Sequence, residues 1–327
     1  MQTRRTFLPL LTALATVPLT GPARAQAWPQ RPVKVIVPFS AGGNTDGIAR
    51  IVAQRLGESF GRQFIVENLP NAAGGTRAAE AVARAPADGH TLFVTAVSVL
   101  AILPATMKTS YDPVKDFAPI SAIGTNPFVL VLNSSVPVNT LAEFVNHVRG
   151  QPNKLSYVVA GHLGVGHLTM IRFLKLAGLE MIPVTYRGGG GAAPITDVIA
   201  GHVPAFLSTL SEAVPHATSG AVRLLAVSSE KRAPQIPNVP TFIEAGFPGF
   251  KTLSWNGLLA PAGTPKAIID RIAKEMAGAA KDPKFVERLD GFGVDPLGNT
   301  PEEFAAMIAA DIPFWAEAVK IAGVQTQ

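Results

Sequence analysis

The sequence predicts an α/β fold of two lobes, and three observations carry that expectation. Strand, Gly-rich loop and helix start recur along most of the 327 residues. The alternation breaks near 117–132 and again near 250–259, as two crossovers between lobes would require. At roughly 150 residues per domain, the length suits two compact units or one large α/β unit. With 47% apolar residues a core is available, and 30 Gly with 28 Pro mark many loops.

The elements follow in order. Residues 33–37 are an apolar strand running into a loop at 38–46. A helix comes next, with Ile48, Ile51, Val52, Leu56 and Phe60 on one face. Asn44 or Thr45 is its expected cap, and Asp46 in the first turn suits the positive end of the dipole. The unit recurs with a strand at 64–67, a Gly loop at 71–75, a short helix at 76–85 and a strand at 91–95. Two extended segments, 117–124 and 127–132, then lack a helix between them.

The second half opens at Thr140, whose spacing to Glu143 is that of a capping box and starts a helix to about Arg149. A strand at 155–160 enters the loop 161–166, followed by a helix at 167–177. A strand at 181–186 leads into Arg187 and four glycines, then a helix at 192–200. Strands at 203–207 and 222–227 flank a short helix, and the Pro-rich stretch 233–240 is loop. Residues 250–259 are extended. Thr264-Pro265 opens a helix to about Ala280, and Thr300-Pro301-Glu302-Glu303 opens the last one. The expected partition is 26–124 plus 255–327 for the first lobe and 125–254 for the second.

The N-terminus bears on compartment. Arg4 and Arg5 precede an apolar run from Phe7 to Leu19, and Ala23-Arg24-Ala25 has cleavage-site spacing. This predicts a secretory signal cut after Ala25 and a periplasmic mature protein. Thr3 to Leu8 also has twin-arginine character, so twin-arginine and general secretion both remain open. The run is shorter than a membrane span and holds Pro9 and Pro18.

The formal charge is +5. Cutting after Ala25 removes three arginines and no acids, leaving 25 basic against 23 acidic residues. No basic stripe interleaves with aromatics, so nucleic-acid binding is not expected. The absence of Cys excludes a disulfide scaffold, a thiolate zinc site, a Cys nucleophile and a lipid-modified N-terminal Cys. It leaves the compartment open.

Chemical motifs are sparse. A P-loop, a full G-x-G-x-x-G fingerprint with its acid and a G-x-S-x-G elbow are all missing. His162 and His167 are five apart without a nearby carboxylate, which suits loop or capping roles better than a metal pair. Asp46, Asp197 and Asp270 fit caps or solvated helix positions. No catalytic residue, cofactor or metal is expected. The Gly loops instead present unpaired N–H groups at helix starts, where a small anion is favoured. Apart from Arg187 they carry few positive side chains, which points to a carboxylate held by neutral donors. Tight βα turns alone would also account for each loop singly.

These residues resemble the periplasmic solute receptors of tripartite tricarboxylate transporters, also called Bug receptors. The resemblance spans nearly all of the mature chain. Its markers include Val37 to Asp46, Val66-Glu67-Asn68, Ala73-Gly74-Gly75, Ala87 to Leu92, and Tyr111 to Phe117. Further markers are Pro215-His216, Asn238 to Thr241, Glu244-Ala245-Gly246, Trp255 with Gly257 to Pro265, and Thr300 to Phe304. It implies a type II periplasmic-binding-protein-like fold, two α/β lobes closing on a small carboxylate. By position, it implies a first grip of Phe39, Ser40, Gly43 and Thr45 with Thr95 and Ser98. The second grip would be Gly161, His162, Gly164, Gly166 and His167 with Arg187, Ser208 and Thr209. It further implies a membrane permease as partner and a monomeric receptor.

Val159 and Gly164 stand where the family usually has hydroxyls, Pro204 where Asp is common, and the loop after Gly188 is about two residues longer. Phe39 suits core and cleft wall equally, Trp255 suits packing, and Thr45 with Asp46 suits a helix-shaping role. An exported α/β enzyme and a receptor reporting to a sensor kinase are the other readings left open.

Overall fold

The computed structural model describes residues 28–71, 74–160, 164–186 and 192–323. In chain order the elements are β1 (Val33–Val37), α1 (Asn44–Phe60), β2 (Phe64–Asn68), α2 (Thr76–Ala83) and β3 (Thr91–Ala96). A π-helical turn (Ser98–Ile102) and α3 (Leu103–Thr106) lead to β4 (Phe117–Asn133). Then come α4 (Leu141–Arg149), β5 (Ser156–Ala160), α5 (Val165–Ala177), β6 (Ile182–Tyr186), α6 (Ala192–Ile199), β7 (Ala205–Thr209), α7 (Leu210–Thr218) and β8 (Val222–Val227). The chain finishes with β9 (Leu253–Pro261), α8 (Lys266–Ala279), α9 (Pro283–Asp290), β10 (Asp295–Pro296) and α10 (Pro301–Ile321).

Strand order is β2-β1-β3-β9-β4-β7-β5-β6, with β8 and β10 also pairing β4. β1 is parallel to β2 and β3, so the loops after all three leave from one sheet edge. β5 is likewise parallel to β6 and β7. β9 and β4 run antiparallel between these sets. From Phe117 to Pro127, β4 pairs with β9; from Phe128 onward it pairs with β7 and β8.

The two extended segments expected at 117–132 are thus one 17-residue strand. Pro127 sits where β4 exchanges partners, a place where a missing N–H costs the ladder least. Irregular register between Pro119 and Ser121, and between Ala122 and Gly124, bends the same strand.

Three apolar clusters fill the fold. α1, α8 and α9 close over Val35, Val37, Val94 and Leu258 on one face. α6 and α7 cover Val129, Val131 and Phe206. The third runs without interruption from Phe93 and Phe304 to Phe173 and Phe250, under α10 on one side and α4 and α5 on the other. Each fully buried side chain of this size stabilises by roughly 1.5–3 kcal/mol relative to exposure.

Some local expectations shift. Thr300 makes the capping box expected of it. Neither Asn44 nor Thr45 caps α1; the cap is Gly43, without a side-chain bond. At α8 the cap moves to Pro265, because Thr264 spends its hydroxyl on the Pro261 carbonyl. The π-helical turn, α3, α9 and β10 are additions. For α9 the signal was present: Asp282 accepts from the Lys284 amide and Pro283 follows it. Among the described residues, no helix is long and apolar enough to cross a membrane.

Candidate functional site

The β1–α1 loop is shaped from beneath. Asp46 is 3% exposed, and its carboxylate accepts from the Gly42 amide at 2.9 Å, from Arg50 at 3.0 Å and from Asn68 Nδ2 at 3.0 Å. Asn68, the last residue of β2, also donates to the Phe39 carbonyl at 3.0 Å. Burial opposes the charge on Asp46, but the bonds from Arg50, Gly42 and Asn68 outweigh it and hold its pKa below the ordinary value. The loop is therefore pinned at both ends while Ser40 stays exposed. Phe39 is half-buried and packs against two of the apolar clusters, so it joins the core and borders the loop at once.

Thr45 is buried, and its hydroxyl accepts from Asn256 Nδ2 at 2.9 Å. That bond ties the first turn of α1 to β9. Thr95 is fully buried opposite Gly257, and its hydroxyl has no hydrogen-bond partner among the described residues. Ser98 is half-buried at the head of the π-helical turn.

On the other set of strands, Gly164 is the cap of α5 and lends no side-chain bond. Gly166, in the first turn, lies so close to β7 that an added Cβ would stand 2.8 Å from the Leu207 carbonyl. Only glycine lets this helix start come that near the strand. His167 is half-buried, its ring 6.1 Å from that of Tyr157. Ser208 is buried and donates to Glu212 at 2.9 Å. Thr209 caps α7 by position, and its hydroxyl meets that of Ser211 at 3.1 Å. Gly161, His162 and Arg187 lie outside the described residues.

The loops after β1 and β7 meet. Asn44 Nδ2 donates to the Ser211 hydroxyl at 2.7 Å across 167 residues of chain. An added Cβ on Gly293, in the turn after α9, would lie 3.1 Å from the Ser211 amide. Beneath this junction Asn126 Nδ2 donates to the Phe292 carbonyl at 3.3 Å. Asn44, Asn126, Ser211 and Asn256 escaped the sequence reading as site residues. The one available signal was a polar amide side chain inside an otherwise apolar extended stretch, which Asn126 in β4 and Asn256 in β9 both are.

Other expectations resolve by contact. Trp255 is 1% exposed and donates to Asp311 at 2.5 Å, a packing role. Asp197 bonds Tyr186 and His202, and Asp270 pairs with Lys266. Two surface hollows, of about 370 and 220 Å³, lie away from the loops, one between α4 and α5 and one beside α8. No group of three or more metal-ligating side chains occurs among the described residues.

Residues 48–323 match the family described as "Tripartite tricarboxylate transporter family receptor". The chain belongs to that family, whose members are solute-binding proteins and not enzymes. Rpa4515 of R. palustris, solved with adipate, is 33% identical with a TM-score of 0.85, covering 91% of this chain and 99% of that one. The periplasmic binding protein BugD is 33% identical at a TM-score of 0.82, over 92% of this chain and all of its own. MatC from Rhodopseudomonas palustris, solved with bound malate, is 30% identical at 0.79, over 89% and 100%. These likenesses establish the periplasmic-binding-protein fold expected from the sequence.

Proposed function

We propose that the chain captures a small organic carboxylate in the periplasm and delivers it to the membrane permease of a tripartite tricarboxylate transporter. One lobe would comprise residues 26–124 and 255–327, the other 125–254. The observation that carries the reading is the convergence of the β1 and β7 loops, bridged by Asn44 and Ser211. Each loop feeds a helix whose cap makes no side-chain bond to the first turn, which supports an anion at these helix starts beside the first-turn acids Asp46 and Glu212. Relatives solved with adipate and malate support a carboxylate as the ligand class.

In this reading Phe39, Ser40, Gly43, Thr95 and Ser98 face the ligand from one lobe. Gly161, His162, Gly164, Gly166, His167, Arg187, Ser208 and Thr209 face it from the other. Thr45 acts by holding the start of α1 against β9. Ligand favours the arrangement in which both lobes touch it, a shift of population without chemistry. A micromolar dissociation constant, about −8 kcal/mol, suffices for such a scavenger. Residues 1–25 would direct export and be removed, leaving a monomeric receptor.

The test is a thermal-shift screen of mono-, di- and tricarboxylates, aromatic acids and amides, with sugars and cations as controls. Ligand at ~100 times its Kd adds about 2.7 kcal/mol to stability, a readable rise in Tm. A rise with sugars or cations alone would overturn the carboxylate assignment. Mass measurement of the exported protein checks cleavage after Ala25.

A further inference from the structure

We propose that Asn126 accepts a hydrogen bond from the bound acid, so that the preferred ligand carries a donor, hydroxyl or ammonium, beside its carboxylate. The inference rests on the carboxylate-receptor reading and narrows its ligand class.

Asn126 is 1% exposed near the point where β4 changes partners. Its Nδ2 donates to the Phe292 carbonyl, and this fixes which way the amide faces. The opposite atom, Oδ1, is buried without a hydrogen-bond partner among the described residues. A buried acceptor left so is costly, and a water or a ligand group ordinarily meets it.

Register puts Asn126, as a residue of β4, between strand positions that lead to the two loops. Two residues before it, Gly124 pairs with Asn256, whose amide holds Thr45 at the start of α1. Two residues after it, Phe128 pairs with Thr209, whose hydroxyl meets Ser211 and through it Asn44. Of the polar side chains at these helix starts, Asn44 pairs with Ser211, Thr45 with Asn256 and Ser208 with Glu212.

Helix starts supply donors, which suit carboxylate oxygens. An amide oxygen among them repels a carboxylate and attracts an O–H or N–H. A ligand lacking that donor leaves Oδ1 unpaired, whereas a donor-bearing one satisfies it and gains that hydrogen bond. Asn126 would therefore separate hydroxy and amino acids from their unsubstituted parents.

Calorimetric titration of the purified chain tests this with matched acids: propionate and lactate, succinate with malate and aspartate, glutarate with 2-hydroxyglutarate and glutamate. The expected result is that a donor-bearing member binds at least about tenfold tighter than its parent. Asn126→Leu, of similar volume, should bring that ratio toward one by weakening the donor-bearing member selectively. The wild-type comparison stands by itself if the variant does not fold. Equal binding of both members overturns the inference and leaves the carboxylate receptor intact. Equal weakening of both by N126L also overturns it, showing a structural role. If none of these acids binds, the preference for small hydroxy or amino acids falls, and the carboxylate reading is decided by the wider thermal-shift screen.

Discussion

Asp46 gathers the Gly42 amide, Arg50 and Asn68 around one buried carboxylate, and Asn68 in turn grips the Phe39 carbonyl. Asp46→Ala leaves three donors without their acceptor, and a loss of about 2–3 kcal/mol in urea unfolding is expected. Ligand affinity should fall with it, because the β1–α1 loop loses its shape. The sign with pH follows from its lowered pKa. A carboxylate depressed in the folded state contributes stability above its unfolded value, about 3.9, and loses it as pH falls through the folded value. Stability of the Ala variant should therefore decline less steeply than wild type below about pH 4. Asp46 was legible as a first-turn acid from spacing alone. Its partner Asn68 was not, since nothing local ties the end of β2 to the start of α1.

At the scale of elements, β9 and α10 form one joint. Phe304 lies over Gly257 so closely that an added Cβ would stand 2.1 Å from the ring. Gly257→Ala should cost about 1–3 kcal/mol through overpacking, and Phe304→Leu in that background should recover part of it in thermal melts. Next to this contact Trp255 donates to Asp311. Burial raises the pKa of Asp311, with the Trp255 bond opposing only in part. An acid raised in the folded state contributes stability below its unfolded pKa and loses it as pH rises through the folded one. Asp311→Asn should gain stability relative to wild type as pH climbs from about 4 to 7. Parallel denaturation profiles over that range would contradict this. The capping signals at Thr300 and the strand patterns were legible, because caps and periodicity act within a few residues. The single long β4 was not, because Pro127 lacks an N–H for the ladder, and only the change of partners at that position accommodates it.

For the whole molecule, the Asn44–Ser211 bond spans the two sets of loops. Ser211→Ala should raise the Kd for a bound acid by roughly 2- to 12-fold, the worth of one net hydrogen bond. On the proposed receptor reading the effect is one of population: weaker contact between the loops would disfavour the arrangement that encloses a ligand. Calorimetry reads the affinity, and solution scattering with and without ligand reads the compaction. Unchanged affinity in the variant would mean that the bridge plays no part in closure.

Strand, loop and helix order, the α/β class and the glycine-rich helix starts were written in the sequence, because each depends on residues a few positions apart. Which side chains meet beneath those starts was decided only by tertiary structure. Asn126, Asn256 and Thr209, which bonds Ser211, are set along β4 and its partners by strand register and the antiparallel course of β4 and β9. Register is a property of paired strands, and no single segment carries it.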